Sequence, residues 1–349
     1  MRDQPKVIVD PFFRQMGEIF APADAQRLAD TVDVVWGRDE PMELDAFRDE
    51  LRDAFAVVTG GWRYGDVLAD AAALRAILTV SGGWPPELDY ATCAARGIRV
   101  LSAAPAFAPA VAEMSLGLAL ACTRDIAEGD RAFRAGEEKW LHEGVVDSYM
   151  LHGARVGFVG FGNIGRALRD LIAPFRCELV AFDPWLTDAY LRSEGVAPMP
   201  LDRLLETSRV IFVLATPTSE NRALLSRELL ELIEPRATLV LVSRAHVVDF
   251  DALTDLVLAG RFKAGIDIFP EEPFDADHPI RRAEGAVLSA HRAGVVREAL
   301  LEIGERVVDD LEALVRGLPP RRMQAVEPEL ASRYVRTTTL VVDPVGTSE

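Results

Sequence analysis

Residues 154–165, ARVGFVGFGNIG, constrain this chain more than any other stretch. Apolar and β-branched residues lead directly into Gly160-x-Gly162-x-x-Gly165, and Leu168 and Leu171 open a helical stripe behind it. A strand, a glycine turn and a helix in that order form one device. The first glycine allows the tight turn, the second lets the backbone approach a pyrophosphate, and the third allows close helix–strand packing. The phosphates then rest on the helix N-terminus, where Asn163 and Ile164 present backbone N–H groups. Eighteen residues beyond Gly165, Asp183 closes the strand-like ELVAFD. An acid there accepts hydrogen bonds from adenosine ribose hydroxyls and repels a 2′-phosphate, which favours NAD over NADP.

The rest of the chain repeats the strand–helix alternation. Strand-like runs at 7–9, 32–35, 56–59, 77–80 and 98–101 are separated by helix-like stretches such as 22–30 and 66–76. The alternation restarts at Ala154. Strands are expected at 156–159, 178–182, 209–214, 237–242, 263–268 and 286–289. Helices are expected at 164–174, 200–207, 226–233, 249–260 and 297–316. Such alternation implies βαβ units, hence an α/β chain with two doubly wound parallel sheets, Rossmann- and flavodoxin-like lobes with a cleft between them. SAAPAFAP (102–109) reads as a break, followed by a helix from about 110 to 126. Residues 127–150 read as polar and irregular, anchored by Trp140. GLPPRR (317–322) ends the final helix, and no sustained period follows it.

Composition limits the partners. The 349 residues are 49% hydrophobic and 27% charged, enough to bury a core. A net charge of −17 argues against nucleic-acid or anionic-membrane binding, because phosphates select Lys and Arg. Cys93, Cys122 and Cys177 are too few and too scattered for a disulfide framework or a metal site. The N-terminus lacks the apolar run of a signal peptide. The most apolar stretch, 111–122, is interrupted by Glu113 and Ser115, so no membrane span is expected. A cytoplasmic location is the default expectation.

Three later strands carry polar residues at their carboxyl ends, where open α/β sheets bind ligands. ATLVLV ends at Ser243-Arg244, KAGIDIF is followed by Pro270-Glu271-Glu272-Pro273, and AVLSA ends at His291. A histidine can move a proton to or from a hydroxyl or carbonyl. A glutamate on its other ring nitrogen fixes the tautomer, and an arginine clamps a carboxylate. Each also has a bland reading, as a loop-closing histidine, a solvated acidic pair or a salt-bridge partner.

Together these segments resemble the NAD-dependent D-isomer-specific 2-hydroxyacid dehydrogenases, over residues 55–322. In that resemblance VSRAHVVDFDAL places the catalytic arginine at Arg244. DIFPEEP selects Glu272 over Glu271, and SAHRAG places the histidine at His291. Asp267 matches the acid beside the nicotinamide carboxamide. Thr216 and Pro217 match the loop flanking the adenosine half, and Ser243 joins the cofactor set. The resemblance implies a split substrate lobe, 1–108 plus 296–330, around an NAD-binding lobe, 109–295, with a tail at 331–349. It also implies a homodimer, to which the helix near 110–125 contributes, and a small 2-oxo or 2-hydroxy acid as substrate.

The chain departs from the family pattern in places. Ala245 and His246 follow Arg244, where the family usually has glycine, and His246 reads as a satisfied loop residue. The carboxylate-binding loop is Ser81-Gly82-Gly83-Trp84-Pro85-Pro86, whose backbone N–H groups at 81–83 can still hold a carboxylate. Phe12, Trp62 and Trp84 stand as pocket walls or core, and Arg63 as a site for a second anionic group. Two other functions remain open on this fold. Formate oxidation is disfavoured by Glu, rather than Gln, at 272. An NAD(H)-sensing module without turnover could keep the same Arg, Glu and His.

Overall fold

Strands form where aliphatic runs are long enough to be buried on both faces. In the computed structural model, which describes residues 4–334 except 146 and 332, the first block gives five strands. These are β1 (Lys6–Asp10), β2 (Asp33–Trp36), β3 (Ala56–Thr59), β4 (Ala76–Thr79) and β5 (Arg99–Ser102). The second block gives β6 (Arg155–Val159), β7 (Glu178–Phe182), β8 (Ala197–Pro198), β9 (Val210–Val213), β10 (Thr238–Leu241), β11 (Lys263–Ile266) and β12 (Ala286–Leu288). A short β13 (Gln324–Ala325) follows the last long helix. Every residue of β3, β4, β9 and β10 is buried, as parallel strands covered by helices on both faces require.

One sheet has the order β13-β5-β4-β3-β1-β2, the other β12-β11-β10-β9-β6-β7-β8. All pairings are parallel except β13 on β5. Both sheets are therefore doubly wound, with the order reversing beside β1 in one and beside β6 in the other. The described residues fall into two compact units, 4–108 with 295–334, and 109–294. In the first unit the helix Arg297–Val315 returns to the sheet, where Ile303, Val307 and Leu311 pack in one cluster with Val7, Val9 and Ile19. Buried Asp310 on that helix accepts the N–H groups of Arg321, Arg322 and Met323, tying down the turn that leads into β13. In the second unit β9, β10 and β11 share a core with Leu230, Leu253 and Phe262.

Several expectations are corrected. The proline-rich stretch 102–109 is not a break: one helix runs Ala104–Thr123 through Pro105 and Pro109. Pro105 lies in the first turn, where no helical N–H is needed. Pro109 removes one backbone bond, and burial of Ala106, Ala108, Val111 and Ala112 offsets it. The longer helix also overturns the expectation that no segment has the dimensions of a membrane span. The mean hydropathy of its most apolar 18 residues is 1.5, and half of that stretch is buried within the protein. Residues 127–150 are not irregular throughout, since Ile126–Ala135 is a helix. Trp140 is not an anchor: it is 68% exposed. The stripe behind the glycine turn is Gly165, Leu168 and Ile172, because Leu171 turns outward. Past residue 322 the chain adds β13 and the short helix Pro328–Ala331, while residues 335–349 of the expected tail lie outside the described residues.

Candidate active site

The glycine turn takes the form its sequence predicts. Gly160 ends β6 at φ +89°, and a Cβ there would stand 2.7 Å from the backbone of Ala215, so only glycine fits. Gly162 is the N-cap of the helix Asn163–Ile172 and brings no side chain to the helix end. A Cβ on Gly162 would meet nothing within 4 Å, so the space over this N-terminus is open to a phosphate. Gly165 lies directly against the Phe161 ring. Asn163 accepts a hydrogen bond from Arg166 at 2.6 Å. Ile164 follows on the first turn. Asp183, just past β7, accepts the N–H groups of Phe161 at 2.8 Å and Trp185 at 2.9 Å. Those two bonds aim the carboxylate and leave lone pairs for further donors. Half-exposed Trp185 beside it is a residue that sequence spacing did not single out.

The loop after β9 carries Thr216, exposed, and Pro217, buried. Asn221 holds this loop, donating to the Thr216 carbonyl and accepting the Thr218 N–H at 2.7 Å. A ring nitrogen of His246 stands 3.0 Å from the Thr218 carbonyl, and the His246 carbonyl accepts the Ala223 N–H. His246 thus ties the Thr218–Ala223 loop through its ring and its carbonyl. Neither clamp was legible in the sequence, because both join segments more than twenty residues apart or depend on loop closure.

Three strand ends of one sheet bring the remaining candidates forward. Past β10, Ser243 is buried, and its hydroxyl has no partner among the described residues. Half-buried Arg244 donates to the Ser243 carbonyl at 2.6 Å. Past β12 stands His291, at φ +49°. Its Nδ1 lies 2.6 Å from Glu272 Oε2, and Glu272 Oε1 accepts the Phe269 N–H at 3.2 Å. Burial pushes the Glu272 carboxyl up, but the His291 hydrogen bond and charge, the Phe269 N–H and nearby Arg244 outweigh it and hold it below the ordinary 4.5. An ionised carboxylate only accepts, so Nδ1 carries the hydrogen, and Nε2 is the nitrogen left to exchange a proton. Glu271 is exposed and joins no such pair in this geometry.

Asp267, one residue past β11, is wholly buried. Its carboxylate accepts the N–H groups of Arg292 and Ala293, each at 3.0 Å, and its carbonyl accepts the His291 N–H at 2.8 Å. Asp267 therefore holds the loop that presents His291.

The first unit contains the other candidates. Among the described residues nothing accepts the N–H groups of Ser81, Gly82 or Gly83. Arg63 pairs with buried Asp10 at 2.9 Å, donates to the Met42 carbonyl, and lies over the rings of Phe12 and Tyr64. Trp62 and Trp84 are buried in a core cluster, which makes them packing residues, while Phe12 is partly exposed.

The model of the D-isomer specific 2-hydroxyacid dehydrogenase NAD-binding domain matches residues 116–293. The chain belongs to the D-isomer-specific 2-hydroxyacid dehydrogenase family. It is similar to a glyoxylate reductase of Korarchaeum cryptofilum, 29% identical over 299 residues, covering 81% of this chain and 90% of that protein. It is 30% identical to the D-3-phosphoglycerate dehydrogenase of Mycobacterium bovis, covering 85% of this chain but 56% of that longer protein. Among solved structures, a phosphoglycerate oxidoreductase from Rhizobium etli superposes with a TM-score of 0.82 at 36% identity, covering 93% of this chain and 99% of that one. The cofactor of this chain is NAD, and its reaction is NAD-dependent oxidoreduction of 2-hydroxy and 2-oxo acids.

The depressed Glu272 carboxyl has a signed consequence. A group whose folded value lies below its unfolded value contributes stability above the ordinary carboxylate range and loses it as pH falls through the folded value. Glu272→Gln should lower the melting temperature at neutral pH, and the difference from wild type should shrink as the pH is taken below 4.5. Thermal scans across that range check the sign.

Proposed function

We propose that this chain reduces a small 2-oxo acid to its 2-hydroxy acid, reversibly, with His291 as proton donor, Glu272 as its orienting partner and Arg244 as the clamp on the substrate carboxylate. The observation that carries the reading is the 2.6 Å contact between His291 Nδ1 and Glu272 Oε2, at the carboxyl edge of the sheet that also carries the glycine turn. Bound NADH supplies the hydride. Gly160, Gly162, Asn163, Ile164 and Gly165 hold its pyrophosphate, Asp183 its ribose, and Thr216, Pro217 and Ser243 line its path. His291 holds a proton at Nε2 while Nδ1 is engaged by Glu272, and it delivers that proton to the carbonyl oxygen. Glu272, ionised, accepts the Nδ1 hydrogen and keeps the ring aimed. Arg244 presents a planar fork to the carboxylate and polarises the adjacent carbonyl. The N–H groups of Ser81, Gly82 and Gly83 bind the substrate carboxylate as well. Asp267 holds the His291 loop in the productive geometry, a role its two backbone bonds support better than contact with the carboxamide.

NADH oxidation against glyoxylate, hydroxypyruvate, pyruvate and phenylpyruvate tests the reading. At least one of them should be reduced. His291→Ala and Arg244→Ala should each lower kcat/KM by about 10²–10⁴-fold, with NADH affinity nearly unchanged. Near-wild-type rates in either variant contradict the assignment.

We also propose that the chain is a homodimer. The helix Ile126–Ala135 has no buried residue, although Ile126 and Phe133 lie on its surface. Exposed Trp140 packs edge-on against Phe133, and Leu141, Val145 and Met150, close by in the sequence, are exposed too. An exposed surface of this kind calls for a partner, and a second copy of the chain supplies the same apolar face. Sedimentation should give a dimer, and Phe133→Asp with Trp140→Asp should give a folded monomer. A wild type that sediments as a monomer at micromolar concentration contradicts it.

A further inference from the structure

The loop 81–86 is tied back on one side and open on the other. The Ser81 carbonyl accepts Ser102 Oγ at 3.3 Å, the Gly83 carbonyl accepts Ser81 Oγ at 3.2 Å, and the Pro85 carbonyl accepts the Tyr90 hydroxyl at 2.8 Å. The carbonyls are thus engaged while the N–H groups of 81–83 find no acceptor among the described residues. Successive backbone donors left free in a turn suit an anion. Its shape is set by what presses on it. A Cβ on Gly83 would stand 2.7 Å from the Tyr334 hydroxyl and 3.4 Å from the ring carbon bearing it. The Tyr334 ring also packs 5.5 Å from the Trp84 ring, within a core cluster that includes Tyr90 and Val326. Tyr334 therefore braces the loop through the next two residues, Gly83 and Trp84. It belongs to the same unit as the loop, where β13 pairs with β5 and the helix Pro328–Ala331 follows.

We infer that Tyr334 is a positioning residue for the substrate carboxylate: by packing on Gly83 and Trp84 it fixes the direction of the N–H groups at 81–83. The inference rests on the assignment of that loop to the substrate carboxylate. Nothing in the glycine pattern of the loop names Tyr334, which lies some 250 residues further on. Gly83, Trp84 and Tyr334 all belong to the first unit, whereas Arg244 and His291 belong to the second. Loosening it should therefore change how well the 2-oxo acid is held, while cofactor binding stays as it was.

The contact has a specific genetic signature. Gly83→Ala places a methyl group against the Tyr334 hydroxyl and should push the loop aside. KM for the 2-oxo acid should rise by about tenfold or more, since a displacement near 1 Å is enough for such losses. The NADH dissociation constant should hold. Adding Tyr334→Phe removes the obstructing oxygen, and the double variant should bring KM most of the way back to the wild-type value. Tyr334→Ala, which removes the brace altogether, should raise KM without rescuing Gly83→Ala. Melting temperatures of the four corners of the Gly83→Ala and Tyr334→Phe cycle read the same contact without any assay of activity and show whether each variant folds. Non-additive melting temperatures together with recovery of KM support the inference. Additive melting temperatures, or a KM indifferent to Gly83→Ala in an active enzyme, overturn it. A wild type that reduces no 2-oxo acid removes the functional assignment first and this inference with it, whatever the cycle shows.

Discussion

Three successive backbone N–H groups, those of His291, Arg292 and Ala293, converge on a single residue, Asp267. The rest of the candidate site depends on that convergence. His291 sits in the left-handed region, which costs a non-glycine residue about 1–3 kcal/mol. A bond from a backbone N–H to a carboxylate contributes about 1.5–3 kcal/mol, so the two bonds to the buried Asp267 side chain are enough to hold the strained conformation. In that conformation the imidazole meets Glu272 at 2.6 Å, and Glu272 is itself held by the N–H of Phe269, two residues beyond Asp267. The loop after β11 thus holds both partners, one through each end.

The same logic governs the cofactor side. A parallel sheet delivers its strand ends to one edge, and the glycine turn after β6, Asp183 after β7, the Thr216 loop after β9 and Arg244 after β10 all lie along it. A chain with a net charge of −17 must bind an anionic cofactor with local devices. Those present are a helix N-terminus over open space, aimed backbone donors and one half-buried arginine. Bulk charge sets which macromolecules stay away; it does not decide what enters this site.

How much of this was legible beforehand follows from contact range. The glycine turn, the strand ends and the Arg244, Glu272 and His291 set are local patterns, and the structure brings the Glu272–His291 pair within hydrogen-bond reach. The left-handed backbone at His291 and the grip of Asp267 on residues 292 and 293 are not local, since they join segments about 25 residues apart. The helix through Pro105 and Pro109 was missed because proline counts against a helix locally, while the buried alanines that compensate act through tertiary packing. Trp140 was misjudged because a large aromatic in a polar stretch looks like an anchor, and only the fold shows that it faces outward. For Trp62 and Trp84 the sequence allows pocket wall and core alike, and only the fold shows that they are core.

The central claim is that a 2-oxo acid receives hydride directly from the cofactor held on the β6 turn while His291 supplies the proton. Reduction with NADH deuterated on the transferring face of its nicotinamide tests it most directly. The account predicts a D-2-hydroxy acid with deuterium on C2, and a hydroxyl proton drawn from solvent. A product lacking deuterium at C2, or an L-2-hydroxy acid, contradicts it.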